Sequence, residues 1–299
     1  MRLITEADVA AVLDPGSAAR VLHAAFAQHG RGQAQVLARH RATRTLDGAA
    51  LAISAMGAIL DADGELPAVL GTKVYSARNG RYHFLVSLFS AATGAPLATL
   101  EANEFTRLRT AAASAVAADL LAQPEAKTLA IFGAGIQARA HAEALMQVRR
   151  FAHVLVCARS GAEAFAAELG GRAVDAATAA AEADVIVTAT RSPTPLFDGA
   201  LVKPGAFVAA VGSSTRAARE LDDALLDRAA LIAVEWRTAA EQEAGDLVDS
   251  APERWAELGE LLVTPHPRGP QDIVVYKSVG IGLEDVALAR FVAHRLGVC

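Results

Sequence analysis

A glycine-rich turn is the segment whose residue types and spacing point most directly to chemistry. It follows an apolar run at Leu129–Phe132, precedes a helical segment at Arg139–Val148 and fits the pattern G-x-G-x-x-A. The residues of the turn are Gly133, Ala134, Gly135, Ile136, Gln137 and Ala138. The first glycine permits a tight turn, the second admits a diphosphate close to the backbone, and the final small residue lets helix and strand pack. Because a helix N-terminus also offers free N–H groups to an anion, the pattern predicts a dinucleotide site.

The end of the second strand of such a unit decides which dinucleotide is bound. An Asp or Glu there holds the ribose 2′-hydroxyl of NAD. This chain has Cys157-Ala158-Arg159-Ser160 at that place and no acid. The guanidinium of Arg159 and the hydroxyl of Ser160 suit a 2′-phosphate, since arginine pairs bidentately with phosphate. We therefore expect NADP(H), with NAD(H) open as the alternative; an ordinary solvated loop charge is the other interpretation of Arg159.

Further cofactor contacts are expected where other apolar runs of the second half end. Ligands of parallel sheets bind outside the carboxyl ends of the strands. Two such ends carry small or hydroxylated residues, and a third segment, near the end of the chain, is expected to close over a nicotinamide. The residues concerned are Thr188, Ala189, Thr190, Val211, Gly212, Ser278 and Gly280.

Two cations in the first half could bind or protonate a small acid. Lys73 lies in a strand-like run, where a lysine can act as an acid or base with a lowered pKa. Arg109 lies in a helical segment at Thr106–Leu121, with Thr106 as the expected N-cap, and its fork suits a carboxylate. Spacing alone favours a surface lysine and an ordinary helix charge at these two positions.

Composition excludes several classes of protein. The 299 residues include 28 Lys+Arg against 33 Asp+Glu, a net charge of −5 that predicts no nucleic-acid partner. Hydrophobic residues make up 53%, which excludes a disordered chain. No apolar run is long enough to cross a membrane, and the N-terminus has no signal-peptide core. With two cysteines and no ligand spacing among the histidines, we expect no metal site and a cytoplasmic enzyme.

Short apolar runs alternate with helical segments through the second half. Runs without polar alternation suit strands buried on both faces, and this order predicts an α/β fold with a Rossmann-type, doubly wound parallel sheet. The predicted strands are Leu129–Phe132, Val154–Cys157, Val185–Thr188, Phe207–Val211, Leu231–Val234 and Leu261–Val263.

The first half shows a helix followed by short strands, which predicts an antiparallel or mixed α+β domain. The expected helices are Asp14–Gly30 and a tail at Leu283–Leu296 that packs back on this domain. The domain boundaries are therefore 1–118 with 281–299, and 119–280 for the dinucleotide domain. The expected strands of the first half are Leu51–Ser54, Thr72–Tyr75, Phe84–Phe89 and Leu97–Leu100.

Four stretches at these sites resemble the ornithine cyclodeaminase/mu-crystallin family. They are Gly71–Tyr75, Leu108–Ala115, Gly133–Ala138 and Val275–Gly280, the last followed by Glu284-Asp285. The lysine and Arg-Thr-Ala-Ala motifs are far more specific than the glycine turn. The resemblance implies a substrate domain that dimerises and a Rossmann domain, in agreement with the pattern of apolar runs.

The resemblance also implies roles for individual residues. The family's lysine at the position of Lys73 belongs to the substrate site, its arginine at Arg109 binds the substrate carboxylate, and Thr110 looks placed for the cofactor. A second substrate arginine is expected, and we favour Arg41 over Arg44, which lies near a hairpin tip. A homodimer is expected, since apolar first-domain strands suit an isologous interface.

The sequence departs from the cyclodeaminase pattern at two carboxylates. The aspartate after the fourth strand of the nucleotide domain is replaced by Ser214, and the glutamate two residues before Met56 by Ser54. A serine hydroxyl does not titrate near neutral pH and cannot replace an acid/base carboxylate. Glu220 and Asp222 are candidate substitutes, although acids at a helix start, where both are expected, merely complement the helix dipole.

These departures favour the ketimine reductase-like members of the family. We predict an NAD(P)H-dependent reductase of cyclic ketimines of the pyrroline- or piperideine-2-carboxylate type, whose partner is a small imino or amino acid. One alternative is an ornithine or lysine cyclodeaminase or an amino-acid dehydrogenase. The other is a non-catalytic, mu-crystallin-like protein that binds a small ligand or NADPH.

Overall fold

A computed structural model of the chain describes residues 1–299. Its internal contacts divide the chain into two compact units: unit 1 comprises Met1–Arg109 with Ile281–Cys299, and unit 2 comprises Thr110–Gly280. Unit 1 contains a six-stranded mixed sheet, and unit 2 contains an eight-stranded parallel sheet. This architecture confirms the predicted fold class. The first division lies at Arg109, where the sequence analysis set it at 118, and the separate substrate and cofactor roles of the two parts stay predictions.

Unit 1 is built on a single sheet. Its strands are β1 Arg2–Ile4, β2 Ala34–Leu46, β3 Ala49–Leu60, β4 Val69–Arg78, β5 Arg81–Ser90 and β6 Pro96–Glu101. Its helices are α1 Glu6–Val12, α2 Pro15–Gly30 and α10 Gly282–Arg295, and α3 Asn103–Leu121 begins in this unit. The strand order is β1-β6-β5-β4-β3-β2, antiparallel except between β1 and β6.

The β2–β3 hairpin sets the register of the arginines in β2. Its turn residues Asp47 and Gly48 have φ values of 48° and 73°, the left-handed pair that a two-residue hairpin turn needs. Arg41 therefore pairs with Ser54, and Arg44 pairs with Leu51 nearer the tip. The predicted strands lie within β3 to β6, but β2 itself was not predicted.

Helix α10 packs against the sheet through positions without side chains. A Cβ on Gly282 would lie 2.3 Å from the backbone nitrogen of Gly57 in β3, and one on Gly71 would lie 2.8 Å from Val286 in α10. The helix contacts β3, β4 and α2, as expected for the predicted tail. Its first turn, which carries Glu284 and Asp285, is thereby fixed over the middle of the sheet.

Unit 2 is a doubly wound sheet in which every pair of neighbouring strands is parallel. Its strands are β7 Thr128–Phe132, β8 His153–Cys157, β9 Arg172–Ala173, β10 Val185–Thr188, β11 Phe207–Ala210, β12 Ala229–Val234, β13 Trp255–Glu257 and β14 Ile273–Lys277. Its further helices are α4 Ile136–Val148, α5 Ala162–Glu168, α6 Ala176–Glu182, α7 Asp223–Arg228, α8 Arg237–Glu243 and α9 Leu258–Val263. The order β13-β12-β14-β11-β10-β7-β8-β9 reverses direction between β7 and β10, where such sheets bind ligands.

Two local predictions were wrong. The apolar run Leu261–Val263 is the end of helix α9 and not a strand. Thr106 is not the N-cap of α3, because the helix begins at Asn103 and the Glu6 carboxylate accepts hydrogen bonds from the N–H groups of Asn103 and Glu104. None of the helices combines the length and the apolar character that crossing a membrane requires.

Candidate active site

Lys73 is the central cation of unit 1. It lies in the middle of β4, where it pairs with Met56 of β3, and its side chain is only 1% exposed. Its Nζ lies 2.8 Å from Oδ1 of Asp285 and 2.7 Å from Oγ1 of Thr106. The Thr106 hydroxyl donates its own hydrogen to the carbonyl of Ala102, so it accepts from Lys73. Strand, helix α3 and helix α10 therefore converge on one ammonium group.

Burial changes the acidity of this ammonium group. The pKa of Lys73 is lowered from 10.5 to about 8, first by removal from water, with the attraction of Asp285 opposing the shift and the repulsion of Arg109 adding to it. The ring of Phe84 also lies 4.5 Å from Nζ. A lysine with a pKa of about 8 is protonated at neutral pH and can still release its proton, as a general acid must.

Arg109 lies beside this lysine, two turns into helix α3. Its Nη1 lies 3.1 Å from Oε2 of Glu284, and its Nε lies 4.0 Å from Oδ1 of Asp285. Glu284 uses its other oxygen to accept the N–H of Ile281 at 2.8 Å. Two consecutive acids in the first turn of α10 thus hold the two cations, with Asp285 within ion-pair distance of both.

Arg41 lies on the same face of the sheet as Lys73. Its Nε donates to Oγ of Ser54, and its Nη2 donates to the hydroxyl of Tyr75, each at 3.1 Å. Tyr75 stands two residues beyond Lys73 in β4, so both side chains leave the sheet on one side. Arg41 and Arg44 are both exposed, but Arg44 stands three residues further along β2 and therefore leaves the sheet on the opposite face. That Arg41 is the second substrate arginine stays a prediction.

The glycine turn of unit 2 has the geometry of a dinucleotide loop. Gly133 has φ 116°, and a Cβ there would lie 2.8 Å from the carbonyl of Ala189. Gly135 is the N-cap of α4, with no side chain capping the helix, and a Cβ on it would meet open space. Ile136, the first residue of α4, is 72% exposed, and Ala138 is fully buried. An uncapped helix N-terminus that faces open space fits the diphosphate of a dinucleotide.

The residues expected around the 2′-position follow β8. Arg159 and Ser160 are both exposed, directly beyond the strand end at Cys157. No carboxylate interrupts this segment. The Cys157 thiol has a raised pKa because it is partly removed from water, and it is therefore not a reactive thiolate.

A buried hydrogen bond between Ser114 and His141 connects α3, the helix of Thr110, to α4. His141 of α4 is fully buried, with Nδ1 2.7 Å from the carbonyl of Gln137 and Nε2 3.0 Å from Oγ of Ser114 in α3. Since a carbonyl only accepts, the ring is protonated at Nδ1. Thr110 is 8% exposed, one turn before Ser114. This pair fixes the helix of Thr110 against the helix that begins at the glycine turn.

Glu220 gathers the expected residues at the ends of β10 and β11. Its carboxylate accepts from the hydroxyl of Thr188 at 2.8 Å, from the N–H and hydroxyl of Thr190, and from the N–H of Gly212 at 2.7 Å. A Cβ on Gly212 would lie 2.2 Å from the carbonyl of Thr190. The expectation that Glu220 lies at a helix start was wrong, and with four donors it is a structural acceptor. Asp222, by contrast, does cap α7.

Sequence reasoning missed three buried charges in unit 2. Glu235 accepts from the hydroxyl of Ser278, from Tyr276 and from the backbone N–H of Gly280, so the Ser278 side chain is already engaged. Lys277 pairs with Asp246 at 2.7 Å and donates to the carbonyl of Ser213 at the same distance. The one sequence feature that could have predicted a buried charge here is Lys277, a cation that directly follows apolar residues in the motif Val275–Gly280.

Known proteins resemble this chain over its length. The pattern of the ornithine cyclodeaminase/mu-crystallin family matches residues 2–297. The ketimine reductase mu-crystallin of Mus musculus is 39% identical over 212 residues, which is 69% of this chain and 67% of the relative. The structure of a probable ornithine cyclodeaminase from Bordetella pertussis Tohama I is 41% identical, with a TM-score of 0.92 over 99% of this chain and 97% of the other.

A third similar protein has been solved with ligands bound to it. The Δ1-pyrroline-2-carboxylate reductase of Thermococcus litoralis, in complex with NADH and L-proline, is 28% identical. Its TM-score is 0.88 over 99% of this chain and 98% of the other.

Proposed function

The chain belongs to the ornithine cyclodeaminase/mu-crystallin family, and from that premise we propose that it is an NAD(P)H-dependent reductase of cyclic ketimine carboxylates. The observation that carries the proposal is the group of cations on one face of unit 1, Arg41, Lys73 and Arg109, with serines at both positions where a cyclodeaminase has an acid. Such a group binds and protonates an anionic imine, and it lacks the carboxylates that ammonia elimination needs.

The cations divide the tasks of binding and protonation. Arg109 presents a planar fork to the α-carboxylate, and Arg41, held by Ser54 and Tyr75, adds a second donor. Lys73 has two of its three N–H groups engaged, by Asp285 and Thr106, and offers the third to the imine nitrogen. Both the T. litoralis reductase with L-proline and the mouse ketimine reductase support a small imino or amino acid as the ligand.

The residues of unit 2 fit a dinucleotide. Gly133 and Gly135 leave room at an uncapped helix N-terminus for the diphosphate, and Arg159 with Ser160 would hold a 2′-phosphate, which favours NADP(H) over NAD(H). Thr110, Gln137, Thr190 and Gly212 would lie along the rest of the cofactor. When bound, the reduced nicotinamide supplies the hydride that the imine carbon accepts.

The reaction balances with a single proton from the protein. The C=N π bond breaks as the carbon gains a hydride with its two electrons, and the nitrogen takes one proton. Lys73 supplies that proton and becomes neutral, and solvent returns a proton before the next turnover. Arg109 keeps the carboxylate fixed throughout, so that the imine nitrogen stays beside Nζ.

The cyclodeaminase alternative lacks its acid. Ser54 is committed to Arg41, Ser214 cannot titrate, and Glu220 is saturated by four donors. Asp222 is committed to the N-terminus of α7 and to the N–H of Gly199. Neither the two serines nor the two nearby carboxylates can therefore act as the acid/base group that ammonia elimination needs.

A homodimer formed through the six-stranded sheet is part of the proposal. The sheet face opposite Lys73 exposes Leu37, Ile53, Val74 and Leu85, with 38–56% of each residue accessible. The register pairs Val74 directly with Leu85 and places Ile53 two residues from the partner of Val74 in β3, with Leu37 on the next strand. Contiguous exposed apolar residues mark an interaction surface, and a flat sheet face is self-complementary under a two-fold axis. Sedimentation equilibrium should give a dimer, and Val74→Glu should give a monomer; a monomeric wild-type protein refutes this assembly.

The activity itself is tested by incubating the protein with NADPH or NADH and a series of cyclic imine acids. We expect loss of the reduced-cofactor absorbance with a pyrroline- or piperideine-2-carboxylate, faster with NADPH. Ammonia release from ornithine or lysine with catalytic NAD⁺ would replace the proposal by cyclodeamination. Tight NADPH binding without turnover of any imine would indicate a non-catalytic binding protein.

A further inference from the structure

We propose that Asp285 is the positioning residue for Lys73: its carboxylate, with the Thr106 hydroxyl, holds the ammonium group so that a single N–H is left for the ligand. This inference rests on the proposed function, because it assigns the group that controls the proton donor. Asp285 is then an acid of the site that remains, although Ser54 and Ser214 stand where cyclodeaminases have carboxylates.

The hydrogen bonds of Lys73 leave one of its donors unused. An ammonium group has three N–H donors and no acceptor. One N–H is taken by Oδ1 of Asp285 at 2.8 Å and one by Oγ1 of Thr106 at 2.7 Å. Because these partners come from two different helices, they fix the direction of the third donor. Asp285 is itself 0% exposed, so it acts on a ligand through the cations beside it, of which Lys73 is the nearer.

The charges around Lys73 control how readily it gives up its proton. Lys73 and Arg109 face Glu284 and Asp285, so the formal charges of these four residues cancel, with Asp285 nearest to Lys73 and Glu284 nearest to Arg109. Arg109 repels the ammonium form of Lys73, and Asp285 is the main group that opposes this repulsion. Without the Asp285 charge, burial and Arg109 act together, and Lys73 loses its proton at a lower pH.

The position of Asp285 depends on the close approach of α10 to the sheet. The backbone of Gly282 lies against Gly57, where no Cβ could be accommodated, and the acid follows three residues later. Oδ2 of Asp285 is buried without a hydrogen-bond partner. Oδ2 of Asp246 in unit 2 also lacks a hydrogen-bond partner, so what distinguishes Asp285 is that its carboxylate accepts no backbone N–H group and has the Lys73 ammonium group as its hydrogen-bond donor.

The test is Asp285→Asn in the full-length chain, read by NMR titration of the lysine side chains, with Lys73→Met used to assign the Lys73 signal. We expect a wild-type midpoint of about 8, and a midpoint in D285N lower by about one pH unit or more, a tenfold change in proton affinity. The alkaline limb of kcat/KM for imine reduction should move by the same amount. A Lys73 midpoint that is unchanged in D285N overturns the proposal.

Two matched variants separate positioning from mere stability. Glu284→Gln removes the neighbouring acid that holds Arg109; we expect a raised KM for the imine acid and a much smaller displacement of the Lys73 midpoint. Asp246→Asn breaks the comparable buried pair of unit 2, and we expect lower stability with the midpoint in place. Equal displacement in all three variants would mean that the effect is general and would also overturn the proposal.

The titration separates failure of this inference from failure of the proposed function, because it does not depend on turnover. If the wild-type protein reduces no imine but D285N lowers the Lys73 titration midpoint, the proposed function is refuted and the role of Asp285 toward Lys73 is supported. If D285N does not fold, Thr106→Val replaces it: the charge stays, one fixed N–H is released, and we expect kcat to fall more than tenfold with KM nearly unchanged. A wild-type kcat in T106V would then refute the positioning role.

Discussion

Each unit of the protein buries one lysine–aspartate pair, and the two pairs differ in whether backbone or side-chain groups surround them. Asp246 of the Lys277 pair spends its second oxygen on the backbone N–H groups of Glu220 and Leu221, and Lys277 donates to a backbone carbonyl. Asp285 of the Lys73 pair accepts no backbone N–H group, and the second partner of Lys73 is the side-chain hydroxyl of Thr106. The Lys277 pair therefore joins backbone segments as a scaffold, and the Lys73 pair, which only side chains hold, is the one that we assign to a ligand.

Replacing each lysine with methionine gives the largest expected contrast. K73M should lower kcat for imine reduction by about 10²–10⁴-fold, the usual contribution of a positioned general acid. K277M should lower the free energy of unfolding by about 3–5 kcal/mol, because Asp246 is left buried and unpaired, with kcat of the folded protein reduced less than tenfold. Steady-state kinetics and thermal unfolding of both variants measure the two effects. A K277M protein as inactive as K73M would remove the distinction.

The pH dependence of the wild-type enzyme sharpens the same contrast. The pKa of Lys73 is lowered to about 8, so the proton donor is present below this pH and is lost above it. The rate should therefore be level between pH 6 and 7.5 and fall about tenfold per pH unit above 8. A profile of kcat/KM from pH 6 to 10 checks this. A rate that rises through pH 8 would instead identify Lys73 as a base, as an amino-acid dehydrogenase would require.

Glu220→Gln tests whether the carboxylates of unit 2 are scaffold. An amide cannot accept all four donors that the carboxylate accepts, and its NH₂ opposes one of them. We expect a loss of about 1–3 kcal/mol in stability, the usual cost of an unsatisfied buried group, with a weaker affinity for NADPH. The alkaline limb of the rate should not move. If E220Q shifts that limb, then Glu220 titrates in the reaction and the structural assignment is wrong.

The smallest expected effect separates two neighbouring arginines. Arg41→Ala should raise the KM for the imine acid by about tenfold, as loss of a charge-assisted hydrogen bond usually does. Arg44→Ala, three residues away and nearer the exposed hairpin tip, should leave KM within twofold. Kinetics of the two variants under identical conditions decide between them, and the reverse order would transfer the substrate role to Arg44.

Much of the unit 2 sheet was predictable because its strands are short, apolar and bounded by turns, whereas the sequence predicted only segments of the longer strands β3 to β5. Strand β2 was missed because its outer half is exposed and carries Arg41 and Arg44 among polar residues, so it shows no apolar run. The run Leu261–Val263 is too short to separate a buried strand from the last turn of a helix. Both errors come from patterns that local sequence does not resolve and tertiary packing decides.

The site was predictable only in part. Lys73 and Arg109 were singled out by their motifs, and Gly133–Ala138 by the turn. The partner of Lys73 lies 212 residues further along the chain, and no local spacing connects the two. Glu235 and Asp246 are ordinary acids in sequence, and only the folded structure shows that backbone N–H groups surround them. Roles that depend on long-range pairing are invisible to motif analysis.

The insertion of unit 2 into unit 1 has a consequence for synthesis. Strand β4 and the start of α3 leave the ribosome long before Gly282–Arg295, so the two cations exist for much of translation without their counter-charges. Burying them at that stage would be unfavourable, since an unpaired charge in an apolar interior is strongly disfavoured. The N-terminal sheet must therefore remain loosely packed until all of the Rossmann segment has been made, and its final consolidation waits for a helix that arrives last.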